Sequence, residues 1–265
     1  MIYYFSATGN SQHVATRISE AIGTQALSIE TANTSVVLTD GEPFGIITPT
    51  HWNQLPVLIR EFIRSIDIRL AKDNYIFTVA TYGAIQGHVC EDARRELQSK
   101  GIRMNAGFSV KMPDSWTPSF DLSDPNKVQQ QVDAAEPLID EVIDQIRHRI
   151  QGNRSKDKLP YCMHIITNSL LNYERQTKFF GVDKSQCIGC GLCAKKCPVQ
   201  AIEMQETTKT ETNKTGKNPV WTAERCALCL GCLHRCPKFA IHYNNKTQAH
   251  GQYLHSKYYK KPTEL

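Results

Sequence analysis

The sequence predicts an α/β protein, with a parallel sheet and crossover helices in front and a small cysteine-rich α+β domain behind. Three observations carry this. Residues 1 to 150 alternate between short apolar runs and amphipathic helix-like segments, the pattern of a parallel sheet. Eight of the ten cysteines fall into two copies of one spacing towards the C-terminal end. The first apolar run also leads into a turn of small hydroxyl residues and glycine just before a helix. At 265 residues the chain has room for one large domain or two smaller ones.

Ile2 to Phe5 is a short buried-strand run, and the helix after its turn carries Val14, Ile18 and Ala21-Ile22 on one face. Ala26 to Ile29 reads as a second strand, followed by a loose polar stretch. Phe44 to Thr48 is the third. Leu55, Leu58-Ile59, Phe62-Ile63 and Ile66 form a helical stripe, with Pro56 suited to its first turn. Tyr75 to Ala80 is a central strand. The helix over His88 to Lys100 stops at Gly101, and Ile102 to Val110 supplies a fifth strand. Val128, Val132, Ala135, Leu138-Ile139, Val142-Ile143 and Ile146 mark a last helix, which Pro137 is expected to kink or restart.

The turn Ser6-Ala7-Thr8-Gly9-Asn10-Ser11 carries chemistry. Free backbone N–H groups and the helix dipole meet at one point there, and Ser6, Thr8 and Ser11 add hydroxyl donors, which makes an anion site. A plain tight turn is the competing reading. The turn lacks the lysine of a nucleotide-triphosphate loop and lacks G-x-G-x-x-G, which argues against both of those ligands.

The cysteine runs are Cys187, Cys190, Cys193, Cys197 before Pro198, and Cys226, Cys229, Cys232, Cys236 before Pro237. Both read C-x2-C-x2-C-x3-C-P, the run that holds cubane iron–sulfur clusters. Each cysteine of the second copy lies 39 positions after its counterpart, and Ala201-Ile202 is answered by Ala240-Ile241. This internal duplication argues for two [4Fe-4S] clusters. Three thiolates from one tight loop grip three corners of a cube, and the fourth comes from beyond it. In two-cluster ferredoxins that fourth cysteine serves the other cluster. The expected sets are therefore Cys187, Cys190, Cys193 with Cys236, and Cys226, Cys229, Cys232 with Cys197. A disulfide framework would suit a small secreted protein, whereas this sequence shows no signal-peptide pattern. Zinc sites favour paired CxxC spacings, and neither run has the C-x3-C-x2-C of a radical-SAM site. The region from Gly181 to Tyr243 resembles bacterial two-cluster ferredoxins.

The front of the chain resembles the flavodoxin family, whose phosphate loop reads [ST]-x-T-G-x-[ST]. Ser6, Thr8, Gly9 and Ser11 match every specified position, and the element order agrees. The resemblance implies a doubly wound, flavodoxin-like sheet of five strands in the order 2-1-3-4-5. It also implies bound FMN at the carboxyl ends of the strands. The loops Thr50-His51-Trp52 and Thr81-Tyr82-Gly83 are then expected to flank the flavin ring, with Trp52 or Tyr82 against it. Core packing of either aromatic is the alternative. Many members of the family place a glycine in the first ring loop, where a peptide flip serves the ring's N5. None lies between Thr48 and Pro56 here, and Asn53 is the residue that tolerates positive φ.

As a whole the chain resembles the flavodoxin–ferredoxin fusion proteins of anaerobic bacteria and archaea (the EFR-type ferredoxins). That resemblance implies a flavin domain over 1–150, a linker over 151–180 with a helix from Tyr161 to Arg175, a two-cluster domain over 181–243, and a tail over 244–265. It implies an electron-transfer protein relaying low-potential electrons between its clusters and FMN, with redox proteins as partners. A flavin-dependent reductase of a small substrate, fed by its own clusters, is the alternative. A regulatory or assembly partner that signals through its redox state is a third reading. The loop Lys111 to Trp116 is equally readable as a lid or as a surface connection.

The charge fits this reading. Residues 181 to 265 hold 13 Lys+Arg against 6 Asp+Glu, and the first 180 hold 18 against 20. Each oxidised cubane with its thiolates carries about −2, so much of the C-terminal basicity is counter-charge and argues against a nucleic-acid partner. No apolar run approaches the ~20 residues of a membrane span, and a cytoplasmic protein is expected, with a homodimer left open. Glu206 to Asn218 reads as a solvated inserted loop. Cys90 and Cys162 read as buried free thiols, His51 as a flavin-tuning or plain surface residue, and the tail as a segment wrapping over the flavin domain.

Overall fold

The computed structural model describes residues 1–160, 162–245 and 247–259. It divides into two compact units. The first comprises Met1–Ser6, Asn10–Pro113 and Gln129–Leu170; the second takes in Ala7–Gly9, Asp114–Val128 and the chain from Leu171 on.

In the first unit the elements run β1 (Ile2–Tyr4), α1 (Asn10–Ala21), β2 (Ala26–Ser28), β3 (Ser35–Val37), β4 (Pro43–Pro49), α2 (Val57–Ser65), β5 (Asp67–Arg69) and β6 (Tyr75–Tyr82). They continue with α3 (Val89–Ser99), β7 (Ala106–Lys111), α4 (Pro125–Arg147), β8 (Gly152–Asn153) and α5 (Cys162–Glu174). The main sheet is all parallel in the order β2-β1-β4-β6-β7-β8. Its first five strands keep the expected 2-1-3-4-5 order, and the two-residue β8 extends the edge. The stretch read as loose polar chain holds β3, which pairs in parallel with β5 as a separate ribbon.

Every residue of β6 is buried, as a central strand covered on both faces requires. On one face Val14, Ile18, Ile139 and Ile143 pack with Phe77, Val79 and Phe108. On the other, the Tyr3 ring meets Phe44 and Phe62 at centroid distances of 5.7 and 5.0 Å. Pro56 stands just before α2 rather than inside it. Asp124 caps α4, its Oδ1 accepting from the Asn126 and Lys127 amides at 3.0 and 3.3 Å. The helix neither stops nor restarts at Pro137. That residue is exposed, so the carbonyl it strands can turn to water. Cys90 is fully buried, its Sγ 3.2 Å from the Phe108 carbonyl, and burial pushes its thiol up to about 12. The side chain of Cys162, like Tyr161, lies outside the described residues.

The second unit is built on the duplication. Its elements are β9 (Phe180–Val182), α6 (Leu192–Lys195), β10 (Ile202–Glu206), β11 (Lys217–Trp221), α7 (Gly231–His234) and β12 (Ile241–Tyr243). The strands pair across the repeats: β9, which opens the first copy, pairs antiparallel with β12, which closes the second, and β10 pairs with β11. The 39-residue register holds in the backbone. Gly189, Gly191 and Gln200 have positive φ, and so do Leu228, Leu230 and Phe239. The second copy thus holds two leucines in left-handed geometry where the first has glycine, at a local strain cost of about 1–3 kcal/mol each. Tyr243 closes this core, packed by Trp116, Phe179 and Phe180, with its hydroxyl donating to the Glu174 carbonyl at 2.8 Å.

The segment read as a solvated insert forms the end of the β10–β11 hairpin, with Glu206 opposite Lys217. Asn213 is buried beneath it. Its Nδ2 donates to the Lys217 carbonyl and Asn218 Oδ1, both at 2.9 Å, and its Oδ1 accepts from the Gly216 amide at 3.1 Å and Thr215 Oγ1 at 2.8 Å. A polar composition concealed an ordered turn.

Candidate cofactor sites

The turn between β1 and α1 is buried throughout: Ser6, Thr8, Asn10 and Ser11 are all less than a tenth exposed. Gly9 adopts φ +103, a conformation that side chains rarely take. In the first unit, Ser11 Oγ lies 2.8 Å from Thr81 Oγ1, and Asn10 Nδ2 donates to the Pro113 carbonyl at 3.0 Å. The structure therefore brings the start of α1 to the end of β6, as parallel-sheet topology dictates at a switch between neighbouring crossovers. The Thr50 amide donates to the Thr81 carbonyl at 2.9 Å, joining the two loops expected beside the flavin ring.

His51 and Gln54 close a two-residue hairpin by exchanging backbone hydrogen bonds at 3.0 and 3.1 Å. Trp52 (φ 48) and Asn53 (φ 63) both occupy its left-handed positions. That is the sign pattern of a type I′ turn, where asparagine is at ease and tryptophan is not. The Asn53 carbonyl accepts from the His88 amide at 2.9 Å. Tyr82, the last residue of β6, is buried, and its hydroxyl donates to Asp157 Oδ2 at 2.7 Å. Burial and the Asp157 carboxylate raise its pKa. Gly83 follows at a half-buried bend. Thr50 Oγ1 is buried without a hydrogen-bond partner, as is Gln86 Oε1 in the loop after β6. Buried orphan groups of this kind mark where a ligand's polar atoms fit. The residues fit a flavin. Sequence reasoning missed Gln86 and Asp157, which carry no motif.

Among the cysteines, Cys197, Cys226, Cys229 and Cys232 all line one pocket, partly open to solvent, with Phe180 and Trp221 on its wall. The two rings are stacked 5.4 Å apart. The first set meets through its charges: Cys193 feels Cys190, Cys236 and Cys187, and Cys187 feels Cys236 and Cys190. Burial pushes the Cys193 and Cys229 thiols up to about 12 and Cys226 up to about 11. Thiols so raised bind protons unless a cation replaces them, which is what iron does. Backbone N–H groups are aimed at the sulfurs. Ala201 donates to Cys197 Sγ at 3.2 Å, its counterpart Ala240 to Cys236 Sγ at 3.3 Å, and Leu228 to Cys226 Sγ at 3.3 Å. Such bonds tune cluster potentials, and a donor set of thiolates fits iron–sulfur chemistry. Cys190 is exposed.

In the second unit, chain 247–259 lies over the Ala7–Gly9 turn. The His255 amide donates to the Thr8 carbonyl at 2.8 Å, and a Cβ on Gly9 would stand 2.6 Å from that of His255. The tail therefore covers this turn, and Lys246 and the residues from Lys260 on lie outside the described residues. The Lys111–Trp116 loop is tied down at its far end, with the Ser115 carbonyl bonded by His234 Nε2 at 2.9 Å. Among the described residues no helix is long and apolar enough to cross a membrane.

Residues 186–240 match the 4Fe-4S dicluster domain family. Over this region the chain is similar to a ferredoxin of Pyrobaculum islandicum, 35% identical over 72 residues that cover 27% of this chain and 55% of that one. It is also similar to an uncharacterized ferredoxin of Methanocaldococcus jannaschii, 40% identical over 60 residues that cover 23% and 70%. The chain spans between 34% and 55% of the length of the first curated relatives it matches. Among solved structures, the rubredoxin oxygen:oxidoreductase of Desulfovibrio gigas aligns with a TM-score of 0.31 at 13% identity, covering 53% of this chain and 35% of that one. Residues 1–136, just over half of the sequence, match the flavodoxin domain family. With its parallel sheet in the expected order, the chain belongs to the flavodoxin-domain family and carries a 4Fe-4S dicluster ferredoxin domain behind it.

Proposed function

We propose that this electron-transfer protein relays low-potential electrons between two [4Fe-4S] clusters and FMN. Residues 1–150 serve the flavin, 151–180 link, 181–243 hold the clusters and 244–265 form a tail. The protein works in the cytoplasm, where its free thiols stay reduced. Bound FMN supplies the exchange between one- and two-electron chemistry. The chain's own residues bind and orient. Ser6, Thr8, Gly9, Asn10 and Ser11 would hold the phosphate, with Thr81 backing Ser11. Thr50, His51, Trp52, Tyr82 and Gly83 would border the ring. Cys187, Cys190, Cys193 and Cys236 would hold one cluster, and Cys226, Cys229, Cys232 and Cys197 the other.

One observation supports a relay over two independent cofactor sites: a flavodoxin domain and a 4Fe-4S dicluster domain stand on one chain, and covalent linkage keeps donor and acceptor at high effective concentration. Anaerobic purification should give about eight irons and one FMN per chain. About four irons, or protein without flavin, would overturn the reading.

A further inference from the structure

Gln86 lies in the loop after β6, just beyond Gly83, and is fully buried. Its Nε2 donates to the Gly87 carbonyl at 2.7 Å and to Ser155 Oγ at 3.2 Å. Ser155 is fixed in turn, its amide and its hydroxyl both donating to Asn153 Oδ1 at 3.1 and 2.5 Å. With its one proton committed there, the Ser155 hydroxyl faces Gln86 as an acceptor, and the Gly87 carbonyl can only accept. A flipped amide would set its oxygen against two acceptors, so Nε2 and Oε1 keep their places. Oε1 then meets no donor among the described residues, and a bare buried amide oxygen is costly. Three segments of the first unit converge here. Gly87 (φ +61) lies so close to the Trp52–Asn53 hairpin that a Cβ there would collide with the Asn53 carbonyl. The His88 amide donates to that carbonyl at 2.9 Å, and the Gly87 amide donates to the Asp157 carbonyl at 3.2 Å. Gln86 is thus locked between both ring loops and the chain at 153–157, which gives its bare oxygen a fixed position.

We infer that Gln86 Oε1 accepts the N3–H of the flavin ring and makes the site select a flavin whose imide edge is unsubstituted. This rests on the proposed FMN reading and deepens it. An oxidised isoalloxazine ring presents acceptors at N1, O2, O4 and N5, and a single donor, the N3–H. An acceptor that cannot turn into a donor therefore has one partner on that ring. Thr50 Oγ1, also buried without a partner among the described residues, carries no such preference, because a hydroxyl both donates and accepts. Discrimination by one hydrogen bond is strong where the wrong ligand leaves a buried polar group unpaired.

The test compares FMN with 3-methyl-FMN, which carries a methyl group in place of the N3 hydrogen and keeps the phosphate and the rest of the ring. Binding is read anaerobically by quenching of flavin fluorescence, on full-length protein of matched iron content. The unaltered chain should bind FMN about ten-fold or more tighter than 3-methyl-FMN. Gln86→Met keeps the side chain's length and removes the acceptor. It should weaken FMN about ten-fold while 3-methyl-FMN stays within about two-fold, so that the preference disappears. If Gln86→Met does not fold, the comparison on the unaltered chain decides alone. Equal affinity of the unaltered chain for the two flavins overturns the inference, since water would then satisfy Oε1. A preference that persists in Gln86→Met overturns it too, because the N3–H is then bonded elsewhere, and so does an equal loss of both flavins, which marks a purely structural role. In each of those cases FMN still binds and the cofactor reading stands. Uptake of neither flavin by the unaltered protein would fell that reading, and this inference with it.

Discussion

At the scale of single residues, charge and burial decide more than motif. Glu96 is buried, and Arg60 Nη1 and Arg64 Nε reach it at 2.6 and 2.7 Å. Burial alone would raise its carboxyl pKa; the Arg64 and Arg60 guanidiniums outweigh it and hold the pKa below its usual 4.5. A depressed folded-state pKa gives stability that is present above the unfolded value and lost as pH falls through the folded one. Glu96→Gln should therefore lower stability by about 1 kcal/mol near neutral pH, with the gap closing below about pH 4. Thermal melts across that range check this, and a pH-independent gap would sink it. Cys90, with its thiol raised to about 12, should resist alkylation at pH 8 until the protein unfolds, as mass mapping of labelled cysteines would report. The same scale shows where the sequence ran out of signal. Asn53 announced its left-handed turn because asparagine tolerates it. Trp52 did not, since nothing in a tryptophan predicts φ 48. The closing His51–Gln54 hydrogen bonds help to impose it.

At the scale of elements, what was legible followed apolar periodicity and cysteine spacing. Helices α1 to α4 and strands β1, β4, β6 and β7 were readable because each buries apolar side chains. The β3–β5 ribbon and β8 were not, being two or three residues long with little pattern to read. The hairpin end around Asn213 escaped for another reason: its order comes from one buried amide rather than from apolar burial. Asn213→Ala strands the groups it satisfied, so local opening should cost about 1–3 kcal/mol less. Limited proteolysis should then cut faster at Lys209 or Lys214, with the cluster signals retained; unchanged cleavage would refute the point. The 39-residue duplication was legible in the cysteines, and the strands give it a physical form. Because β9 pairs with β12 and β10 with β11, each half is completed by the other. The proposed ligand sets cross in the same sense. Cys236→Ser should damage the cluster of Cys187, Cys190 and Cys193, seen by electron paramagnetic resonance, while the other cluster survives. Damage confined to that other cluster would reverse the assignment.

At the scale of the whole molecule, the chain is two compact units, and the last prediction belongs to the second. The helix α7 is four residues long and cannot hold its shape alone. The cysteines at its ends, Cys232 and Cys236, would anchor it by binding two different clusters. On it hangs the tail, through the Gln252 and Tyr253 bonds to Leu233, His234 and Cys236. His234 passes the restraint on in neutral form, since burial lowers its pKa to about 4 while Nδ1 accepts from Tyr253 and Nε2 donates to Ser115. Removing iron should loosen α7 and release the tail. Limited proteolysis after anaerobic chelation would read this, with cleavage at Lys257 at least about ten-fold faster in stripped protein. Equal cleavage of stripped and loaded protein would show that α7 keeps its shape without clusters.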